Sequence, residues 1–456
     1  MIFNSNVFLF VFLPLVFALY WAARTKAQRY LLLTVSGYIF YGYWNWRFCF
    51  LLLFSSLVSF FAALAITDSR RPFTPRGWLI LSVGIDLLLL GFFKYFNFFT
   101  ETFNQLGLPV SLPLIHVILP IGISFYTFHT ISYIVDVASG RVKATRNIFE
   151  YFGYVCLFSQ LVAGPIVRYR EIEDDLENID RPLAESFAIT GLGTFVLGLA
   201  KKVLIADQIA ALVNPLLHSY STLSPLAAWG AAIGYAYQLY FDFSGYSDMA
   251  IGLGLLFGLH IPVNFNAPYR AEGIGDFWRR WHISLSSWLR DYLYIPLGGS
   301  RGGSVRTTFN LMTTMLLGGL WHGANWTFVL WGAYHALLLV TDRFTVGLRK
   351  QAGSYLTRIV TFLLVLLGWV LFRSDNMHMA GHWLGAMFGS FGGSQAIPLA
   401  LAVWIGVCFL VTNIVPETCK ITFPGTRRWL FAYAAAFYVC YLYMNQTPTV
   451  FLYYQF

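Results

Sequence analysis

The stretch LLGGLWHGANWTFVLWGAYH, Leu316 to His335, runs for twenty residues without a single Asp, Glu, Lys or Arg. A helix needs about 20 mostly apolar residues to cross the hydrocarbon core of a bilayer. Spans expected at about 308–321 and 324–341 make the segment the centre of an apolar hairpin. Similar runs continue outward in both directions. Hydrophobic residues make up 57% of the 456 residues and charged residues only 11%, against about 25% charged in an ordinary soluble domain. Aromatics reach 19%, which suits many spanning helices with aromatic belts at both interfaces. The expected fold is an all-α polytopic membrane protein.

Candidate spans fall at about 6–23, 30–45, 48–66, 77–94, 114–135, 148–166, 186–205, 226–243, 247–262, 308–321, 324–341, 357–372, 397–415 and 429–445, giving about ten to twelve full crossings once short or merged segments are allowed for. The first run, Val7 to Ala23, has no basic residue before it and Arg24, Lys26 and Arg29 after it, which reads as a retained span rather than a cleaved signal. Basic loops recur every second span: Arg70, Arg71 and Arg76; Arg141, Lys143 and Arg146; then Arg343, Arg349, Lys350 and Arg358; then Lys420, Arg427 and Arg428. By the positive-inside rule these face the cytoplasm and both termini face outward. The net charge of +9 thus reads as topogenic, with no call for nucleic acid. No internal repeat of the transporter kind is visible.

Two segments read otherwise. RYREIEDDLENIDR, Arg168 to Arg181, carries six carboxylates and reads as a solvated surface helix. GDFWRRWHISLSSWLRDYLY, Gly275 to Tyr294, places Trp278, Trp281, His282, Leu285, Leu289 and Tyr292 at 3–4 spacing, the pattern of one amphipathic helix at an interface or dipping into the protein.

Ionisable side chains inside spans are costly and point to function. His322 stands among Gly318, Gly319 and Gly323, where missing side chains let backbone or a ligand approach. A neutral imidazole there can take a proton from a hydroxyl and return it to a leaving group, and a structural histidine bonded to backbone is the plain alternative. His282 is the second candidate, with packing on indoles as its alternative. Arg279, Arg280 and Arg290 suit either a phosphorylated donor or lipid headgroups. His335 reads as packing, and His129 as packing or the lining of a tunnel. Asp242 and Asp248 read as a structural pair with an arginine of the 279–290 helix. His116, His218, His260, His378 and His382 fall near loops. Cys49, Cys156, Cys408, Cys419 and Cys440 form no CxxC pair and no zinc pattern, so no metal is expected.

These blocks resemble the membrane-bound O-acyltransferase family, in its bacterial polysaccharide-acetylating branch. The resemblance rests on MIFNSNVFLFVFLPL, LPIGISFYTFHTISYIVD, AGPIVRYRE, AYQLYFDFSGYSDMAIGLGLLFG, DFWRRWHISLSSWLRDYLYIPLGGSRGG and LLGGLWHGANWTFVLWG. It implies a helical ring of spans around a central funnel, with re-entrant and interfacial helices, forming one membrane domain over 1–456: N-terminal spans in 1–145, a catalytic core in 146–345 and C-terminal spans in 346–456. It places the paired polar residues of the family on His282 and His322, and donor or substrate binding on Arg279, Arg280, Arg290, Trp281 and Asn325. It implies O-acetyl transfer in a bacterial inner membrane, from a cytoplasmic thioester such as acetyl-CoA, toward an exopolysaccharide through a periplasmic SGNH-hydrolase-like partner and the polymer's synthesis machinery. The alginate members carry sequence beyond the point matching Phe456, so cellulose or another exopolysaccharide is expected as readily as alginate. D-alanyl transfer to a cell-wall polymer, and a translocation channel without enzyme activity, are the alternatives.

Overall fold

The computed structural model describes residues 1–68, 72–115, 117–390, 393–444 and 446. Arg70, Arg71, His116 and the C-terminal residue Phe456 lie outside them. The described residues are helical, with one isolated bridge between Leu223 and Gln395 and no strand. They divide into two compact units. The first holds Met1–Phe195, Tyr246–Pro262 and Phe423–Trp429; the second holds Val196–Gly245, Val263–Thr422 and the chain from Leu430 onward.

In the first unit the helices are α1 (Leu13–Ala22), α2 (Lys26–Asn45), α3 (Phe48–Thr67), α4 (Pro75–Leu90), α5 (Phe96–Asn104), α6 (Ile123–Ala138), α7 (Ile148–Val155) and α8 (Tyr169–Glu177), with most of α9 (Glu185–Ala200). A capping box starts α2, in which the Thr25 hydroxyl accepts from the Gln28 N–H and the Gln28 side chain accepts from the Thr25 N–H. Thr74 caps α4, with Pro75 at the first helical position. Polar glue joins α3, α4 and α6: Asp86 accepts from Ser55 Oγ at 2.6 Å and Thr130 Oγ1 at 2.8 Å. A carboxyl group away from water needs such partners.

Four expected spans differ from the sequence reading. Helix α6 begins only at Ile123, because Pro113 and Pro120 withhold backbone donors and Gly122 turns the chain at φ 77°. The 148–166 run is helical only as far as Val155. Beyond it the chain folds back on itself, Gln160 Nε2 donates to the Tyr154 carbonyl at 2.6 Å, and a Cβ at Gly164 would collide with the Ser159 carbonyl. The runs at 226–243 and 247–262 are one helix, α11 (Pro225–Leu256), of 32 residues. No proline falls inside it, and at 1.5 Å per residue it extends about 48 Å. The acidic segment, expected as a solvated surface helix, gives the short helix α8, one face of which buries Tyr169, Ile172 and Leu176.

The second unit adds α10 (Asp207–His218), α12 (Ile274–Trp278), α13 (Ile283–Leu289), α14 (Gly303–His322), α15 (Trp326–Phe344), α16 (Val346–Ala352), α17 (Ser354–Arg373), α18 (Met377–Met387), α19 (Leu399–Ile414) and α20 (Arg427–Met444). Among the described residues, four helical segments are long and apolar enough to cross a membrane: Phe48–Thr67, Pro75–Asn104, Ser354–Arg373 and Leu399–Lys420. Only 11% of the Leu399–Lys420 window is buried within the protein, so its outward face is apolar and its natural solvent is hydrocarbon. Helices α2, α14 and α15 reach similar lengths with more polar and aromatic residues.

The buried carboxylate Asp242 does not pair with an arginine of the 279–290 segment. Lys202, on a π-helical turn at Lys201–Ala206, places its ammonium 2.6 Å from Asp242 and 2.8 Å from Asp207. All three side chains are buried. A flexible lysine stem reaches Asp242 from the neighbouring turn, while Arg279 and Arg280 are committed to Asp276.

Candidate functional site

The hairpin of α14 and α15 carries His322 on its last helical residue before the turn. Of the two approaches that the sequence allowed at its glycines, backbone or ligand, the structure shows backbone at Gly319. The glycines let the two helices touch: a Cβ on Gly319 would strike the Phe328 carbonyl, one on Gly332 the Met315 carbonyl, and one on Gly323 the Phe328 ring. Gly318 differs and faces a cavity. Gly319→Leu is therefore expected to part the hairpin and cut folded yield several-fold, whereas Gly318→Ala meets only the Leu289 side chain. Overpacking of this kind costs about 1–3 kcal/mol. The check is the monodisperse fraction of each variant after detergent extraction, and equal yields would show slack in the hairpin.

His322 is 5% exposed. Its ring meets Trp321, Trp331 and Phe372 edge-on, with centroids 5.0, 5.1 and 5.1 Å away. It also lines a largely apolar cavity of about 220 Å³, walled by Trp278, Leu285, Leu289, Gly318 and Trp331 and reaching Arg290 and Tyr294. One imidazole at an apolar cavity whose rim holds a guanidinium is suited to an anionic ligand with a slender apolar or acyl end.

The 275–294 segment is not one helix. It breaks at His282, whose φ of 45° is left-handed. Histidine visits that region more often than most residues, and a non-glycine residue held there costs about 1–3 kcal/mol unless its surroundings impose it. They do. The loop before the break is stitched to it: the Asn266 N–H donates to the Arg280 carbonyl and the Ile283 N–H to the Asn264 carbonyl, both at 3.0 Å. Glu417 anchors that loop by accepting from the Ala267 N–H at 2.6 Å and the Tyr240 hydroxyl at 2.5 Å.

The same loop fixes the proton on His282. Asn264 Oδ1 accepts from the Ser284 backbone N–H at 3.2 Å, which identifies that atom as the amide oxygen. Ser284 Oγ donates to it at 2.9 Å. His282 Nδ1 lies 3.1 Å from it and must be the donor. Nε2 then carries the lone pair and is the basic nitrogen. His282 is fully buried, edge-on to Phe243 at 4.6 Å and 6.1 Å from Trp321. Both candidate histidines thus abut the same indole.

The other sequence candidates fall in different places. Arg290 borders the cavity and pairs with Asp291 at 2.7 Å. Arg279 is exposed, and Arg280 also donates to the Asn266 carbonyl. Trp281 is buried against Trp369, centroids 4.8 Å apart, and the cavity wall is its neighbour Trp278. Asn325 caps α15, accepting from the Thr327 N–H at 3.1 Å and donating to the Asp375 carbonyl at 2.7 Å. His335 is buried among Trp278, Trp331 and Trp369, as its packing reading held. His129 belongs to the first unit, buried beside Tyr154. Sequence reasoning missed Asn264, eighteen residues before His282, and Trp331. No group of three or more His, Cys, Asp or Glu side chains among the described residues is placed to hold a metal ion.

Comparison with known proteins gives the class of the chain. The family described as MBOAT, membrane-bound O-acyltransferase family, matches residues 138–372. The chain belongs to this family and is an acyltransferase. It is 45% identical over 435 residues to a protein of Pseudomonas syringae pv. tomato named probable alginate O-acetylase, covering 94% of this chain and 82% of the relative. It is 38% identical to the peptidoglycan O-acetyltransferase of Helicobacter pylori, covering 86% and 80%. The teichoic acid D-alanyltransferase of Bacillus subtilis is 27% identical, covering 57% and 69%.

Proposed function

We propose that this protein is a multi-pass enzyme of a bacterial inner membrane that moves an acetyl group from a cytoplasmic thioester, acetyl-CoA, toward an extracytoplasmic exopolysaccharide. The observation that carries the reading is the cavity joining His322 to Arg290. The relatives named for O-acetyl transfer match more of the chain, at higher identity, than the one named for D-alanyl transfer. The donor's phosphates meet Arg290, and its acyl end reaches His322. The neutral imidazole accepts the proton of an acceptor hydroxyl as that oxygen attacks the thioester carbonyl. The tetrahedral intermediate then expels the thiolate, which takes the proton from the imidazolium, so the ester forms and the thiol leaves with no net change in the enzyme. His282, held by Asn264, is a positioning residue that packs against Trp321, the indole that also meets His322. Both termini and the α14–α15 turn face outward, where a periplasmic SGNH-hydrolase-like partner and the synthesis machinery of alginate, cellulose or another polymer collect the acetyl group.

Acetyl-CoA supplied to the cytoplasmic face of inverted membrane vesicles should label the polymer. Arg290→Ala should raise KM for acetyl-CoA about tenfold, the loss of one charge-assisted hydrogen bond at a partly solvated site, with kcat nearly unchanged. An unchanged KM would remove Arg290 from donor binding, and label appearing only when donor is supplied from the other face would overturn the orientation.

A further inference from the structure

A cavity of about 280 Å³ shares no lining residue with the one at His322. Leu338, Thr341 and Thr345 of α15 form one wall, and Leu356, Val360 and Leu364 of α17 another. Both sets recur at 3–4 spacing, so each is one stripe of its helix, about 10 Å long. The walls are apolar in effect. The Thr341, Thr345 and Thr361 hydroxyls donate to carbonyls four residues back in their own helices, at 2.9, 3.2 and 2.7 Å, so they ask nothing of an occupant. Leu356 and Val360 are also exposed, and α17 is one of the helices long and apolar enough to cross a membrane. The cavity therefore opens sideways, on the face that α17 turns to hydrocarbon.

One end of the cavity carries charge. Arg349 of α16 lines it and pairs with Asp342 at 2.6 Å. The Asp342 carboxylate also accepts from the Ile274 and Gly275 N–H groups, at 3.0 and 3.1 Å. Nearby, Glu272 pairs with Arg358 at 2.7 Å. Both carboxylates are thus neutralised within the protein. Two more cations stand at the same end. Arg343 and Lys350 are exposed, and each directly follows a lining residue, Asp342 or Arg349. Among the described residues neither forms an ion pair. The cavity is therefore apolar along its length and has an excess of positive charge at one end.

We propose that this cavity binds one anionic phospholipid of the surrounding bilayer, with an acyl chain between α15 and α17 and the headgroup phosphate on Arg343 and Lys350. The charge is complementary, since basic residues beside a spanning helix attract anionic headgroups. The sideways opening lets a bilayer lipid enter laterally. A peptide segment is a poor occupant, because its backbone N–H and C=O groups would meet walls whose hydroxyls are already committed. A hydrocarbon chain has no such groups to satisfy. The bound lipid braces the turn between α15 and α17, and with it Asp342. That carboxylate holds the first turn of α12, the helix that carries Trp278 to the wall of the His322 cavity. Lipid binding is measured without acyl transfer, so its failure leaves the acyl-transfer reading untouched.

The test is native mass spectrometry of the purified full-length protein, stripped of lipid by detergent exchange and titrated with phosphatidylglycerol or with phosphatidylcholine of the same chains. One tightly held phosphatidylglycerol per protein is expected, with a rise in Tm, and phosphatidylcholine should bind more weakly. Each cation beside an anionic headgroup is worth about fivefold in affinity, so Arg343→Gln with Lys350→Gln should weaken phosphatidylglycerol binding about 25-fold. Val360→Trp, which fills the cavity from an exposed position, should remove the tightly held lipid. Arg427→Gln with Arg428→Gln, an exposed basic pair elsewhere in the chain, should change nothing. Equal affinity for the two lipids, or a double glutamine variant at 343 and 350 that binds like the parent, would overturn the anionic headgroup. Tight binding that survives Val360→Trp would overturn the location. A dimer that comes apart on Val360→Trp would assign the cavity to a second copy of the chain instead. The charge variants lie on the surface and fold independently of how well the tryptophan is accommodated, so they decide the proposal even where Val360→Trp extracts poorly.

Discussion

His322→Ala is expected to abolish polymer acetylation while the protein reaches the membrane in normal amount. General acid–base assistance contributes about 10²–10⁴ in rate, and no second imidazole lines the cavity to substitute for it. The packing around His322 is aromatic and edge-on, so the smaller side chain leaves a void at the end of one helix and the hairpin contacts through Gly319 and Gly332 persist. His322→Gln keeps most of the volume and a hydrogen-bonding end without the basicity. It should be as inactive as His322→Ala. A glutamine variant with near-normal transfer would reduce His322 to a shape-filling role.

The second large effect is on stability. Lys202→Met removes the buried ammonium that pairs with both Asp207 and Asp242, in a site where all three side chains are buried. Removing one member of a buried ionic group costs about 3–5 kcal/mol, a large share of a typical stability of about 5–15 kcal/mol. The variant should give little monodisperse protein after extraction. Replacing the whole cluster, with Lys202→Met, Asp207→Leu and Asp242→Leu together, should recover much of the loss, because no unpaired charge then remains. A single variant as stable as the parent would mean that the carboxylates find other partners or protons.

What could be read from the sequence follows the range of each interaction. His322 was legible because it is the one titratable group in the first half of a long apolar run, a local signal. The hairpin was legible from the same run. The partner of His282 was not, since Asn264 lies eighteen residues upstream across a helical break, and no periodicity announces a left-handed residue. The 3–4 spacing over 275–294 is real, but the spacing alone does not reveal that backbone bonds from the 264–267 loop interrupt the ladder at His282. Lys202 was hidden because Lys201 and Lys202 look like the basic end of a span. Only the reach of α11 toward the π-helical turn shows that one of them is buried. Asn325 was expected among the substrate- or donor-binding residues. Its place just before an apolar helical run is a capping signal, and the structure bears out that signal. Spans were over-divided in α11, where Asp242 and Asp248 stand between apolar runs, and over-extended where prolines ahead of α6 stop the helix.

The glycine seam between α14 and α15 also bears on how this enzyme can change its acyl group. Two helices in backbone contact have no room to trade side chains, so natural variation or engineering cannot reshape the cavity from within the seam without separating the hairpin that carries His322. The opposite wall has no such constraint. Leu285 and Leu289 line the cavity from α13, a short helix. Selectivity for a longer acyl group is therefore most readily acquired by trimming these two leucines, and the choice of substrate size can drift on one wall while the chemistry stays fixed on the other.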